Sequence, residues 1–380
     1  MKKITTAKKN HKALSKTEKK QIWQKASQQR LTVGLDLGDA ESCYHILDDV
    51  AATVSTGRLL TTKTGLKSLF EKMPSSRVAL EVGTHSPWVS RLLAGLGHEV
   101  IVANPHKVRL ITQSMKKNDR IDAEQLARLA RVDPKLLSPI RHRGEVAQAD
   151  LAVIRARAGL VEARTGLINT ARGLVKPFGE RLKSCDADQV GEGLQEGLSE
   201  AVCTAVEPLL RSVEAVTEQI RVYDGEIEAI AKRYPEVELL RQVYGVGQLI
   251  ALTFVLTIED PSRFEHSRDV GPFLGLTPKQ GESGDRQPQL GITKAGDQLL
   301  RSLLVQGAHC LLRKGAPESD LRIWGMEKME KGGKNAKRRA IVGVARKLAV
   351  LLHRLWVTGE VYDPLYNQKQ KGKQAGRAAA

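Results

Sequence analysis

The sequence predicts three architectures in succession: an α/β domain, a long helical hairpin and a mostly α-helical C-terminal domain. Three observations predict it. Short apolar runs alternate with amphipathic stretches from residue 31 to about residue 131. Two long stretches beyond Pro139 carry apolar residues at alternating steps of three and four. Glycine-rich turns then separate strongly apolar helical segments up to about residue 360.

Residues 1–30 hold nine lysines against the single acid Glu18 and are expected to form a basic arm, either touching phosphates or solubilising the chain. Residues 31–140 follow as the α/β domain. Strands are expected over Thr32–Asp36, 43–47, Thr53–Leu60, 78–81 and Glu99–Ala103. Helices are expected over 65–71, 88–94 and 119–131, the last with Ile121, Leu126 and Leu129 on its apolar side. Strands first, then alternating strands and helices, is the ribonuclease H/RuvC layout.

In residues 141–235, Leu151, Ile154, Ala158, Val161, Thr165 and Ile168 form one predicted seam. Leu209, Val213, Val216, Ile220, Tyr223, Ile227 and Ile230 form the other. Their spacing is that of an antiparallel coiled-coil hairpin, joined by the Gly- and acid-rich segment 183–203. It serves either dimerisation or packing within one chain. In residues 236–360, Gly245 and Gly247 precede an apolar helix expected over 249–256. Two glycines there suit either a helix–hairpin–helix contact with a phosphate backbone or a plain helix–helix turn. Helices are expected over Gln298–Leu312 and 341–355, and residues 361–380 form a basic tail.

Composition narrows the partners. The chain has 380 residues, a net charge of +17 and a pI near 9.7, which points to a polyanion. Aromatics are only 4 %, which argues against base stacking along a single strand as the main binding mode. The four cysteines lack a C-x-x-C pair and read as reduced thiols, not zinc ligands or disulfides. The lysine-rich start has no apolar core of a secretory signal, and the longest apolar run is too short to span a bilayer. A cytoplasmic protein with no membrane partner is expected, nucleoid-associated when bound to DNA.

The chemistry-bearing residues are acids. Asp36 and Glu81 each close an apolar run, and Asp119 and Asp122 lie three residues apart, on one face of a helix. Together they read as one site for Mg²⁺ or Mn²⁺ with phosphate oxygens as co-ligands. Read separately, they are turn and helix-start acids. Lys117 and Arg120 flank them, and Ser283 sits in the polar loop Gly281-Glu282-Ser283-Gly284 with Lys294 and Arg301 downstream. On the residues alone, Ser283 is either a turn residue or a nucleophile whose phosphate Lys294 and Arg301 help to hold.

Four blocks in order carry a family resemblance: Val33-Gly34-Leu35-Asp36, then Ala79-Leu80-Glu81-Val82-Gly83-Thr84. Next come Asn104-Pro105 with Lys117-Asn118-Asp119-Arg120-Ile121-Asp122-Ala123. Last is Phe273-Leu274-Gly275-Leu276-Thr277-Pro278 through Ser283-Gly284 to Ile292-Thr293-Lys294-Ala295-Gly296. Over about residues 31–360 the chain resembles the DEDD-type insertion-sequence transposases, described as bridge-RNA-guided serine recombinases. The resemblance implies a RuvC-like domain binding Mg²⁺ through Asp36, Glu81, Asp119 and Asp122, and Ser283 attacking a DNA phosphodiester. It also implies a structured guide RNA that pairs with donor and target DNA, and a homo-oligomer, a dimer or tetramer, sharing composite sites. The chain departs from the family in residues 1–30 and in Asp285-Arg286-Gln287-Pro288 after the serine, which bears on local loop geometry. Two rivals follow from the same residues: a RuvC-like nuclease that activates water and does not need Ser283, and a non-catalytic nucleic-acid scaffold.

Overall fold

Residues 31–104, 118–279, 281, 290–333 and 335–370 are described by the computed structural model. The chain divides into two compact units, the first running to Arg143 and the second starting at Gly144.

Five strands make one mixed sheet in the first unit: β1 (Thr32–Asp36), β2 (Glu41–Leu47), β3 (Thr53–Leu60), β4 (Arg77–Glu81) and β5 (Glu99–Ala103). Their order is β3-β2-β1-β4-β5; β2 is antiparallel to both β1 and β3, while β1, β4 and β5 run parallel. Parallel strands need crossovers, and these are helical. Helix α1 (Lys63–Phe70) starts on Thr62, whose hydroxyl accepts the Gly65 N–H, and α2 (Ser86–Gly95) starts with a proline in its first turn. Both pack on one face, where Val33, Leu35, Val78 and Leu80 meet Leu66, Phe70, Val89 and Leu93.

The other face takes α3 (Asp119–Val132), capped by the Asn118 side chain accepting the Arg120 N–H. Here the expected apolar side needs correction. Only Leu126 of the three expected residues is buried; Ala123, Ala127 and Ala130 make the rest of the contact. The reason is distance. A Cβ added at Gly34 on β1 would stand 1.9 Å from the Ala123 carbonyl oxygen, so helix and strand backbones nearly touch. Only small residues fit on such a crossing, and Ala79 and Ala103 face α3 from the neighbouring strands.

The second unit opens with two long helices, α4 (Glu145–Val175) and α5 (Glu200–Ala231), packed antiparallel. Their seam differs from the predicted one. Thr165 is exposed, and Leu209, Val216 and Tyr223 are half-buried. Val213, Ile220, Ile227 and Ile230 are buried as expected, and Val202, Val206, Leu210 and Thr217 join them on α5. Mid-hairpin, Arg164 occupies the seam, 8 % exposed, donating to Thr217 and pairing with Asp188 of the connection. A reading that selects apolar residues alone misses a polar layer of this kind. The connection is more than a turn: Val190 is buried, and Leu182, Cys185, Leu194 and Leu198 pack on the helix ends.

The base of the hairpin is continuous with the core of the remaining helices. These are α6 (Glu236–Arg241), α7 (Gln248–Ile258), α8 (Val270–Phe273), α9 (Gln298–Leu312), α10 (Asp320–Glu330) and α11 (Ala336–Thr358). Every residue of α7 from Ile250 to Ile258 is buried, which makes it the central helix of this unit. Asp150 on α4, 6 % exposed, accepts from Arg233 Nη2 and Tyr234 Oη, both at 2.6 Å. Burial and that bond push the Tyr234 phenol up to about 12. Among the described residues, no helix is long and apolar enough to cross a membrane.

Candidate active site

Asp36 and Glu81 sit at the C-terminal ends of adjacent parallel strands. Leu35 pairs with Leu80 in that register, so the two acids are the next residues along and share a face of the sheet. Side chains two apart on a strand share a face. Asp36 therefore follows Gly34, and Glu81 follows Ala79, on the face that α3 covers. Helix α3 crosses that face at Ala123, placing its first turn, with Asp119 and Asp122, beyond the crossing toward the same strand ends. Four acids from three segments are thus placed toward the same end of the sheet. Asp36, Glu81 and Asp122 are half-buried and Asp119 is exposed, so Glu81 does not carry the desolvation cost expected for a buried strand end.

Two basic residues and a thiol complete this end of the sheet. Cys43 on β2 pairs with Asp36 on one side and Arg58 on the other. The Arg58 guanidinium lies 3.6 Å from Asp119 and 3.5 Å from Glu41. Burial pushes the Cys43 thiol up, Arg58 opposes that shift, and Asp119 and Asp36 reinforce it. Arg120, in the first turn of α3, also acts electrostatically on Cys43. Hard carboxylate oxygens at a half-exposed strand end suit a divalent cation chemically. Among the described residues, however, no three His, Cys, Asp or Glu side chains are arranged closely enough to hold one. The Asp119 carboxylate instead faces the Arg58 guanidinium.

Ser283 and Lys117 lie outside the described residues. What is described is the stem of the Ser283 loop. The Lys279 N–H donates to Gly291 O (2.9 Å), Thr293 N–H to Thr277 O (2.9 Å) and Lys294 N–H to Gly275 O (3.1 Å). Gly275 (φ 67°) and Gly296 (φ 73°) are left-handed. A Cβ at Gly275 would stand 2.2 Å from Ala295 N, and one at Gly296 would stand 2.1 Å from Phe273 O. The two glycine motifs are one interlocked backbone structure, far apart in sequence only because the loop lies between them.

The other residues singled out in the sequence divide by what they touch. Lys294 is exposed at the stem with a left-handed φ of 57°. Arg301 Nη1 donates to Leu274 O (3.0 Å) and Ala295 O (2.8 Å), so its guanidinium braces the stem. Gly245 (φ 84°) lies against α9, where an added Cβ would meet Gly307 O at 2.8 Å. It serves helix packing, whereas Gly247, at the start of α7, is exposed with open space around it.

Sequence reasoning missed Arg58, which sits on a strand of alternating exposure and has no distinguishing neighbours. It also missed Asp297, whose side chain is 6 % exposed, caps α9 through the Leu300 N–H (2.9 Å) and accepts from Arg155 of α4 (2.8 Å). An Asp just before an apolar helix was the available signal for the cap.

Comparison with known proteins adds to this geometry. A model described as the transposase IS116/IS110/IS902 family matches residues 237–323, and a transposase model of the IS110 DEDD type matches residues 33–178. The transposase for insertion sequence element IS1111A of Coxiella burnetii is 32 % identical over 72 % of this chain and 75 % of its own length. A putative transposase of Sinorhizobium fredii is 27 % identical over 90 % of this chain and 88 % of its own. A probable family 20 transposase of Pseudomonas aeruginosa is 29 % identical over 76 % and 86 %.

Proposed function

The chain belongs to the IS116/IS110/IS902 family of insertion-sequence transposases, and from that premise we propose that it cuts and rejoins DNA through a serine nucleophile assisted by an acidic cation site. What supports the proposal is that Asp36 and Glu81 end adjacent parallel strands while Asp119 and Asp122 lie in the first turn of the helix that crosses β1 at Gly34. The strand order β3-β2-β1-β4-β5, with its one antiparallel hairpin run and parallel remainder, supports a RuvC/ribonuclease H-like reading of this unit.

In this reading the four carboxylates hold Mg²⁺ or Mn²⁺, which when bound neutralises charge on phosphoryl oxygens. Ser283 Oγ forms a bond to phosphorus, one P–O bond to a neighbouring nucleoside breaks, and the serine proton leaves with the released hydroxyl. The covalent link conserves the phosphodiester bond energy, so the hydroxyl of a second strand can displace the serine without ATP. Lys294, Lys117 and Arg120 neutralise backbone phosphates, Arg301 braces the Ser283 stem, and Gly247 leaves the α7 N-terminus open to a phosphate. Sequence choice is delegated to a structured guide RNA, which suits a basic chain with few aromatics. Exchange between two duplexes needs more than one such site, hence a dimer or tetramer, acting in the cytoplasm on the nucleoid. Domain limits of 31–140, 141–235 and 236–360 separate acid site, hairpin and serine domain, with basic segments 1–30 and 361–380 at the ends.

Covalent trapping tests this. Protein with its co-expressed RNA and a labelled donor–target substrate is incubated with Mg²⁺, denatured and run on a gel. A labelled protein–DNA adduct lost in Ser283→Ala and in Asp119→Ala is expected. Cleavage without an adduct, unchanged in Ser283→Ala, would identify a nuclease that uses water and overturn the serine mechanism.

A further inference from the structure

The second unit contains a cavity of about 920 Å³ between α11, the α8 turn, the start of α10 and the segment 360–367. Its size is in the range of small-molecule pockets, roughly 300–1,000 Å³. Thr277, from the stem of the Ser283 loop, forms part of its wall.

Arg268, Arg346, Lys347 and Arg354 share the wall with Asp269, Asp320, Glu360 and Asp363, and their contacts differ. Asp269 accepts the His266 N–H, Glu360 pairs with Arg354, and Asp363 pairs with Lys369. Arg268 and Arg346, in contrast, have no side-chain hydrogen bond or ion pair among the described residues. Arg346 is half-buried and its stem runs over Gly271, where an added Cβ would stand 3.1 Å from Arg346 Cγ. That glycine makes room for the arginine. Leu351 supplies apolar floor, and Arg354 backs the Tyr366 ring with its guanidinium carbon 5.6 Å from the centroid.

One further group asks for a partner. Asp320 lines the cavity; its Oδ2 accepts the Asn367 N–H at 2.7 Å, while its Oδ1 is buried with no hydrogen-bond partner. A buried carboxylate oxygen left without a donor is costly, and a ligand donor is one remedy.

We propose that this cavity receives one unstacked nucleotide of the DNA substrate. Arg268 and Arg346 hold its phosphate, the base lies against Leu351 and the Arg-backed Tyr366, and the Asp320 carboxylate turns to bring Oδ1 to an N–H on the base edge. Two guanidiniums with no hydrogen bond or ion pair among the described residues, an aromatic platform and a carboxylate acceptor suit recognition of an extruded base. The inference takes DNA as substrate from the family and stands whether or not Ser283 is the nucleophile. A negative result in covalent trapping would leave it intact.

The test uses the full chain and a short single-stranded oligodeoxynucleotide of mixed sequence bearing 5-iodo-2′-deoxyuridine, beside an RNA counterpart. Light-induced cross-links to the DNA, mapped by mass spectrometry, are expected at Tyr366. Arg346→Ala should lower the slope of log affinity against log salt by about 0.7, one phosphate on a single strand, with Arg346→Lys restoring it. Tyr366→Ala should weaken binding about tenfold. Asp320→Asn keeps an acceptor for the Asn367 N–H and should change discrimination among the four deoxynucleoside monophosphates as competitors. Cross-links that map only outside the cavity, with an unchanged salt slope in Arg346→Ala, would overturn the proposal. Cross-linking of the RNA at Tyr366 in place of the DNA would overturn the assignment to DNA.

Discussion

The acid-bearing corner of the first unit and the stem of the Ser283 loop in the second are both built on glycines that let backbones touch, yet they do so differently. At Gly34 the obstacle to a side chain is another element: α3 lies on the strand, and the constraint is steric. At Gly275 and Gly296 the constraint is double, because the same positions also have left-handed φ angles. The first arrangement fixes side chains that project from regular structure. The second fixes only the two feet of a loop. A site on helices and strands inherits their rigidity, whereas a site on a loop depends on its anchoring.

The largest effect should come from Gly34→Ala. Its Cβ would stand 1.9 Å from the Ala123 oxygen, so α3 must leave the sheet, at a cost of about 3 kcal/mol or more. Urea unfolding followed by circular dichroism measures it, and Asp119 and Asp122 should lose their relation to Asp36 in the same variant. Next, Gly275→Ala should cost about 2–3 kcal/mol from combined strain and overlap. Hydrogen exchange should then speed up at the Lys279, Thr293 and Lys294 amides while the β1 amides stay protected. If both glycine variants loosened both regions equally, the contrast drawn between them would be wrong.

Smaller effects sharpen the same contrast. Asp297→Ala removes the α9 cap and the Arg155 pair at the foot of the stem, and a loss of about 1–2 kcal/mol is expected by thermal unfolding. Arg58→Ala removes a solvent-screened pair with Asp119 and should leave the urea midpoint almost unchanged.

The weakest is a pH effect confined to the first unit. Burial, and then Arg91 and Arg143, lower the His142 pKa below its ordinary value of 6.5, and burial does the same at His45. The unfolded chain therefore takes up these protons first as pH falls. The stability they contribute is complete above pH 6.5 and declines below it, by at most about 1.4 kcal/mol per pH unit for each histidine. Urea midpoints on either side of that value should show the decline, and His142→Asn should reduce it.

Much of this was legible in residue order. The five strands, the helix Gln298–Leu312 and the acids at element ends follow from period and punctuation, because burial on one face imposes a period of two or 3.6. The hairpin seam was legible only in part, since Arg164 is buried by virtue of Asp188 and Thr217, neither of which is apolar nor in register with it. Gly34 was visible as a motif residue, but the helix that demands it lies some ninety residues on, at Ala123.

The sequence by itself determined the order of elements, the strong positive charge and which side chains could do chemistry, because these depend on local pattern and composition. Tertiary structure decided which of those side chains meet. It turned Asp119 toward Arg58, braced the Ser283 stem with Arg301, assigned Gly245 to packing against α9, and left Arg268 and Arg346 on a cavity wall with no ion pair among the described residues. Proximity between residues distant in the chain is set by how closely backbones can approach and which charges find partners, and neither is encoded at any single position.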